Sequence, residues 1–373
     1  MDYTKKMTKT KKILLILLIA IIILIAVYFV FFKKNKSENE NNVDINVENS
    51  QSKNEKTIEE PVVLTPTTKT ETIPEEVLPE GTDRFIVQKN ITNEEIADSL
   101  LQAGFIKDSK SFTEILNKEK NQVSSGAYKL SKEMTESQIN KVLHGNPYMK
   151  WVVIKEGLRK EEIATILADT FNWSSKQKND WITKDTAVSK EYIEGVYYPD
   201  TYLIPVTEEP SLMAKRLISK FNEKFVSYLP KFTEKNIKWA RALTLASIVQ
   251  REASNNADIP LIAGILWNRL NQNMFLGVDA TLQYARGDIG NGWWAPITIS
   301  EKESDSPFNT YKYKGLPPHP ISNPGIPAIE AVLNPTETDC LYYLHDKNRV
   351  THCSATYEEH QKNIQKYLVD STN

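Results

Sequence analysis

Cysteine is scarce in this chain. Its 373 residues include only two, Cys340 and Cys353. That is too few for a disulfide-built scaffold, and their spacing leaves open whether they pair. A charge excess is missing as well: 46 Lys and Arg stand against 48 Asp and Glu, for a net charge of −2. With no basic surplus to grip phosphates, nucleic acid is not an expected partner. Histidines number five, and His345, His352 and His360 form no compact ligand motif such as HExxH, so no metal site is expected. The GxSxG turn, the phosphate loop and the dinucleotide fingerprint are all lacking.

What is present is sharply segregated. Ile13–Phe32 is an unbroken apolar run, and a helix of about 20 such residues matches the hydrocarbon thickness of a bilayer. Lys5, Lys6, Lys9, Lys11 and Lys12 precede it, while Lys33, Lys34 and Lys36 follow. This bias predicts a short cytoplasmic tail (1–12), one transmembrane helix (13–32) and an extracytoplasmic body. A cleaved signal peptide is the rival, but its apolar region is shorter and ends in a small-x-small site. Here the run closes on Tyr28, Phe29, Phe31 and Phe32. Residues 33–82 then lack aromatics and are rich in Asn, Glu, Ser, Thr and Pro. Such a composition cannot offset its chain entropy and reads as a disordered tether. Fifty flexible residues would span about 35–40 Å.

Two folded units are expected beyond the tether. In residues 84–146, RFIV (Arg84–Val87) and GAYKLS (Gly126–Ser131) read as strands. Thr92-Asn93-Glu94-Glu95 and Thr135-Glu136-Ser137-Gln138 are helix-starting capping boxes. A short helix between them carries Phe112, Ile115 and Leu116. In residues 149–370, WVVIKEG opens a strand, and helices are expected near Lys160–Asp169 and Ser211–Phe225. Lys238–Leu270 reads as two helices broken at Ser254-Asn255-Asn256-Ala257-Asp258. Strands and helices mix without a βαβ rhythm, so the fold class is α+β.

The helix Trp239–Ser254 is apolar almost throughout, with Ala242, Leu245, Ala246 and Val249 able to bury on one side. Glu252 sits near its C-terminal end. Apolar surroundings and the negative end of the helix dipole both favour a protonated carboxyl there. Such a group can donate a proton to a leaving oxygen. The plainer alternative is an exposed Glu252 paired with Arg251 or Arg241. Downstream, Trp293, Trp294, Tyr311 and Tyr313 accompany Asn309 in Gly- and Pro-rich loops. Flat aromatic faces and amides suit sugar rings, although loop aromatics also seal domains.

Six segments, in order and at matching spacing, resemble one family. They are KEGLR (155–159), IEGVYYPDTYLIP (193–205), LASIVQRE (245–252), WNRLNQNMFLGVDATLQYARG (267–287), FNTYKYKGLPPHPISNPG (308–325) and HCSATYEEH (352–360). The chain is similar to the YceG-like family of MltG-type endolytic murein transglycosylases. The resemblance implies that residues 84–146 form a LysM-like, glycan-binding module and that residues 149–370 form the catalytic domain. It implies that Glu252, last residue of the ASIVxxE run, is the catalytic acid/base. No cofactor or metal is implied. The expected partners are peptidoglycan glycan strands, the cytoplasmic membrane and peptidoglycan synthases. Asn309, Tyr311, Asp279, Gln283 and Tyr284 are the expected sugar-contacting residues. Asn268, Arg269, Asp200 and Tyr202 fit bracing roles. Gln250 departs from the family, which often has Glu there, and Cys353 stands where an aromatic is usual. Two other readings remain: a non-catalytic wall-binding protein, and a hydrolase with Asp279 as second carboxylate.

Overall fold

Threonine starts two of the first three helices, in the computed structural model of residues 77–187 and 193–370. The Thr92 hydroxyl accepts from the Glu95 amide at 3.2 Å, and the Glu95 carboxylate accepts from the Thr92 amide at 2.8 Å. This reciprocal cap opens α1 (Asn93–Gln102). Asp108 caps α2 (Ser109–Lys118), and Thr135 with Gln138 repeats the box at α3 (Glu136–Leu143). The strands β1 (Asp83–Val87) and β2 (Gly126–Leu130) pair antiparallel with Phe85 opposite Tyr128. Alternation sends Phe85 and Val87 inward, where they meet Ile96, Leu100, Phe112, Leu116, Ile139 and Leu143 in a first apolar core.

The sheet does not stop there. β3 (Met149–Val153) pairs with β2 through Ala127 and Met149, and β4 (Thr201–Pro205) pairs with β3 along its length. The order is β1-β2-β3-β4, antiparallel throughout. The Trp151 indole N–H also donates to the Val87 carbonyl at 3.0 Å. One sheet therefore links residues on both sides of the boundary expected near 146–149.

A second and larger core lies beyond this sheet. It gathers α4 (Lys160–Phe171), α6 (Pro210–Phe225), α7 (Leu229–Glu234), α8 (Trp239–Glu252), α9 (Ile259–Asn271), α10 (Asp279–Arg286) and α11 (Ile326–Leu333), while the short α5 (Ser175–Asp180) buries none of its residues. Phe225 stacks on Phe221 and Phe232, with ring centroids 4.7 and 5.7 Å apart. Burying a side chain of that size contributes roughly 1.5–3 kcal/mol. A hairpin of β5 (Tyr342–His345) and β6 (Thr351–Ser354) and the helix α12 (Tyr357–Ile364) complete the order. The fold class is α+β.

Helix α8 is buried on every side from Ala242 to Val249, where the sequence predicted one buried face. The reason is its central place: α9 and α11 pack on it, and the 321–322 backbone lies along its polar notch. There the Ile321 amide donates to the Ser247 hydroxyl at 3.0 Å, and the Ser322 hydroxyl donates to the Ser247 carbonyl at 3.1 Å. The helix ends where Ala253 turns extended, and α9 restarts with Pro260 in its first turn. The apolar run 13–32, the tail before it and the tether through residue 76 lie outside the described residues. Among the described residues no helix is long and apolar enough to cross a membrane.

Gly264 lies where α9 meets the backbone after α11. A Cβ at Gly264 would be driven into the carbonyl oxygen of Thr336. Gly264→Ala should therefore destabilise the fold by about 1–3 kcal/mol despite its better helix propensity. Guanidinium unfolding followed by circular dichroism checks this, and unchanged stability would refute the close approach.

Candidate active site

A cavity of about 570 Å³ opens at the C-terminal end of α8. Five elements supply its walls. Helix α8 brings Arg251 and Glu252, α9 brings Arg269, α10 brings Asp279 and Gln283, β5 brings Tyr343 and His345, and α12 brings His360. Loop residues Trp294, Lys302 and Tyr311 close it further.

Glu252 is the last residue of α8 and is half-buried. The Tyr343 hydroxyl donates to its Oε2 at 2.6 Å. Burial pushes the Glu252 carboxyl above its ordinary range, and the negative charge of Asp279 adds to this. The Tyr343 hydrogen bond, His345 and Arg251 oppose the shift without cancelling it. His345 Nε2 lies 2.9 Å from the Glu252 backbone carbonyl, which can only accept, so Nε2 carries the proton. Its Nδ1 meets the Thr351 hydroxyl at 3.0 Å.

The opposite wall is held by charge and aromatic faces. Asp279 is the first residue of α10, where the positive helix end favours an anion. It accepts a hydrogen bond from the Tyr311 hydroxyl, and Lys302 Nζ stands 3.9 Å away. Lys302 also sits over the Tyr311 ring, 4.2 Å from its centroid. Arg251 stacks on Trp294 at 3.8 Å, and its Nη1 donates to the Gly157 carbonyl at 3.3 Å. The arrangement offers a proton donor, a nearby carboxylate and flat rings within one cleft. Among the described residues no group of three or more His, Cys, Asp or Glu could hold a metal ion.

The sequence pattern of the YceG-like family matches residues 85–366. The chain belongs to the YceG-like family. The endolytic murein transglycosylase of Bacillus subtilis strain 168 is 31% identical over 297 residues, which cover 73% of this chain and 81% of that one. The namesake from Streptococcus pneumoniae serotype 2 is 27% identical over 319 residues, 75% of this chain and 57% of the relative. This chain thus spans little more than half of the pneumococcal protein's length. A crystal structure of a YceG-like protein from Listeria monocytogenes superposes with a TM-score of 0.55 at 27% identity, covering 76% of this chain and 99% of that one.

In this YceG-like chain, four of the six site residues expected from sequence line the cavity: Glu252, Asp279, Gln283 and Tyr311. Two do not. Asn309 is fully buried and its amide is spent. Its nitrogen donates to the Lys302 and Ser304 carbonyls, both at 2.8 Å, and its oxygen accepts from the Tyr311 and Lys312 amides. It shapes the loop that presents Tyr311 and has no donor or acceptor left for a sugar. Tyr284 follows Gln283 on α10 and so points elsewhere, into a buried cluster with Phe308 and His319, and under Arg159. Arg269 lines the cavity and also holds the backbone at Leu341 and Leu276. Gln250 accepts from the Gly325 amide at 3.0 Å, so it is built into the start of α11.

Sequence reasoning missed Tyr343 and His345 as site residues, although alternation along LYYLH puts both on one face. It also missed a second perturbed carboxyl. Glu194 is fully buried, and burial pushes it up to about 8. Asn323 Nδ2 donates to it at 2.9 Å and the Lys160 amide at 3.2 Å. With no exposed surface it cannot meet a substrate, whereas Glu252 opens into the cavity.

The open question of the cysteines is answered by the hairpin. Cys340 and Cys353 form a disulfide with Cα atoms 5.8 Å apart. Cys353 pairs with Tyr343 across β5 and β6. Thiol titration of the unfolded, unreduced chain should find no free thiol. Replacing both cysteines by serine should lower stability by about 3 kcal/mol, measured by denaturant unfolding. Two free thiols in the titration would show the bridge to be absent.

Proposed function

We infer that this chain is an endolytic murein transglycosylase, a lyase that cleaves peptidoglycan glycan strands internally without using water. The observation that carries the reading is the Glu252 carboxyl. Among the described residues it is the carboxyl raised chiefly by burial that opens into the cavity, so its protonated form is favoured. Kinship with the Bacillus subtilis and pneumococcal endolytic murein transglycosylases supports it.

In this reading Glu252 gives its proton to the bridging oxygen of the β-1,4 bond between N-acetylmuramic acid and N-acetylglucosamine. The bond to muramyl C1 breaks and positive charge develops on that ring. Asp279 supplies negative charge within the same cleft, and the cleft's aromatic faces support the sugar. Glu252, now a carboxylate, takes the proton of the muramyl C6 hydroxyl as its oxygen closes onto C1. The products are an N-acetylglucosamine hydroxyl and a 1,6-anhydromuramyl end. One carboxyl serves both steps, so the second carboxylate of a hydrolase is not needed.

The rest of the chain fits delivery of this activity to the wall. Residues 13–32 are proposed as a single-pass anchor with the tail 1–12 in the cytoplasm, and residues 33–82 as a tether. Residues 84–146 are proposed as a LysM-like glycan-binding module ahead of the catalytic domain, 149–370. Action on nascent strands beside peptidoglycan synthases follows as a proposal from that placement. A pull-down from membranes that recovers no synthase would count against the last point.

Digestion of purified peptidoglycan, followed by mass analysis, tests the reaction. Wild type should release anhydromuramyl-ended fragments, and Glu252→Gln should slow release at least about a hundredfold. Reducing ends would indicate a hydrolase with Asp279 as second carboxylate. Equal release by wild type and variant would remove Glu252 from the chemistry, and no release by either would leave a binding protein. The pH dependence follows from the sign of the shift. The protonated form is required, so kcat/KM falls as pH rises through the raised Glu252 value, and activity should extend above the ordinary carboxyl range.

A further inference from the structure

The β5–β6 hairpin grips Glu252 twice. Tyr343 holds its carboxyl through Oε2 at 2.6 Å, and His345, two residues on and on the same strand face, holds its backbone carbonyl at 2.9 Å. The hairpin itself is fastened from several sides. The disulfide joins Cys340 to Cys353, the residue directly opposite Tyr343. Asn268 Nδ2 donates to the Thr338 and Cys340 carbonyls at 2.6 and 3.1 Å. Arg269 Nε donates to the Leu341 carbonyl at 2.6 Å. These restraints converge on one short strand, and two of its side chains, Tyr343 and His345, hold the same residue. Among the described residues Glu252 Oε1 has no hydrogen-bond partner.

We propose that Tyr343 is a positioning residue of the reaction: its hydroxyl occupies Glu252 Oε2 and thereby leaves Oε1 as the oxygen that gives and retakes the proton. This rests on Glu252 being the acid/base. In the protonated state Oε1 carries the hydrogen and Oε2 is the carbonyl oxygen that accepts from Tyr343. When the proton passes from Oε1 to the bridging oxygen, the tyrosine bond becomes charge-assisted and strengthens. The proton of the C6 hydroxyl then returns to Oε1 as the ring closes. Tyr343 keeps its own proton throughout, since burial and the neighbouring Glu252 charge push its phenol well above the ordinary value. A carboxyl free to rotate would divide its proton between two oxygens, only one of which faces the substrate.

The charged and titratable groups around Glu252 are Asp279 from α10, Arg251 from its own helix, Arg269 from α9, His345 from the hairpin, Tyr311 and Lys302 from loops, and His360 from α12. Tyr343→Phe removes a donor and leaves all of these in place, so it isolates the hydrogen bond. Loss of a donor to the carboxylate favours the protonated form, and the alkaline limb of kcat/KM moves to higher pH.

The test uses the full-length chain in detergent and purified glycan strands, with pH profiles for wild type, Tyr343→Phe and Glu252→Gln. Tyr343→Phe should lower kcat about tenfold with KM within about twofold, and should shift the alkaline limb upward. 3-Fluorotyrosine at position 343, a more acidic phenol that preserves the packing, should move the limb the other way. A Tyr343→Phe enzyme with the wild-type profile, or fluorotyrosine with no shift, overturns the proposal while Glu252→Gln remains inactive. An active Glu252→Gln overturns the underlying reading instead.

Discussion

A carboxyl moved out of water holds its proton more tightly, because the charged form loses more solvation than the neutral one. The candidate site depends on that asymmetry being applied to one residue at the mouth of a cleft. Helix α8 supplies it. Eight consecutive residues, Ala242 to Val249, are buried before the chain reaches Glu252. The helix delivers the carboxyl from the apolar interior outward, at the end where the helix dipole also disfavours negative charge. A helix buried all round requires neighbours on all sides. α9, α11 and the 321–322 backbone supply them, and Ser247 satisfies the polar groups that this contact would otherwise bury unpaired.

Raising a carboxyl's affinity for its proton is half of an acid/base device; the conjugate base must also be tolerated. Tyr343 and His345 oppose the burial effect on Glu252, as does Arg251. The cavity thus balances desolvation against donors brought by a separate strand. This makes the hairpin's position an electrostatic matter as well as a packing one. The disulfide at its base fixes the strand pair that carries both donors.

The parts legible in the sequence were those set by near neighbours along the chain. Capping boxes at Thr92 and Thr135 are read within four residues. The break between α8 and α9 is read from Ser254-Asn255-Asn256-Ala257-Asp258. Asp279 and Gln283 lie four apart on one helix, so they share a face and reach the same cavity. The same spacing argued against Tyr284, one residue further round, and that inference was available from the sequence. Asn309 was chosen by chemical type, but a side-chain amide in a tight loop is as readily consumed by its own backbone. Tyr343 was beyond reach in another sense. Its partner lies 91 residues away, and no local pattern says which element a strand face will meet.

The distance between Glu252 and Glu194 in role, despite a shared cause, shows why a perturbed carboxyl alone does not mark a site. Both are shifted upward chiefly by burial. Glu194, however, spends its oxygens on Asn323 and Lys160. Asn323 in turn accepts from the Tyr197 amide at 2.7 Å and donates to the Leu158 carbonyl at 2.9 Å. Three of the segments that carry the family resemblance, around Leu158, Glu194 and Asn323, therefore meet in one satisfied polar junction. Removing any member of that junction would leave buried partners unpaired. Chemistry needs an oxygen left unspent at a surface the substrate can reach, and of these two carboxyls only Glu252 has one.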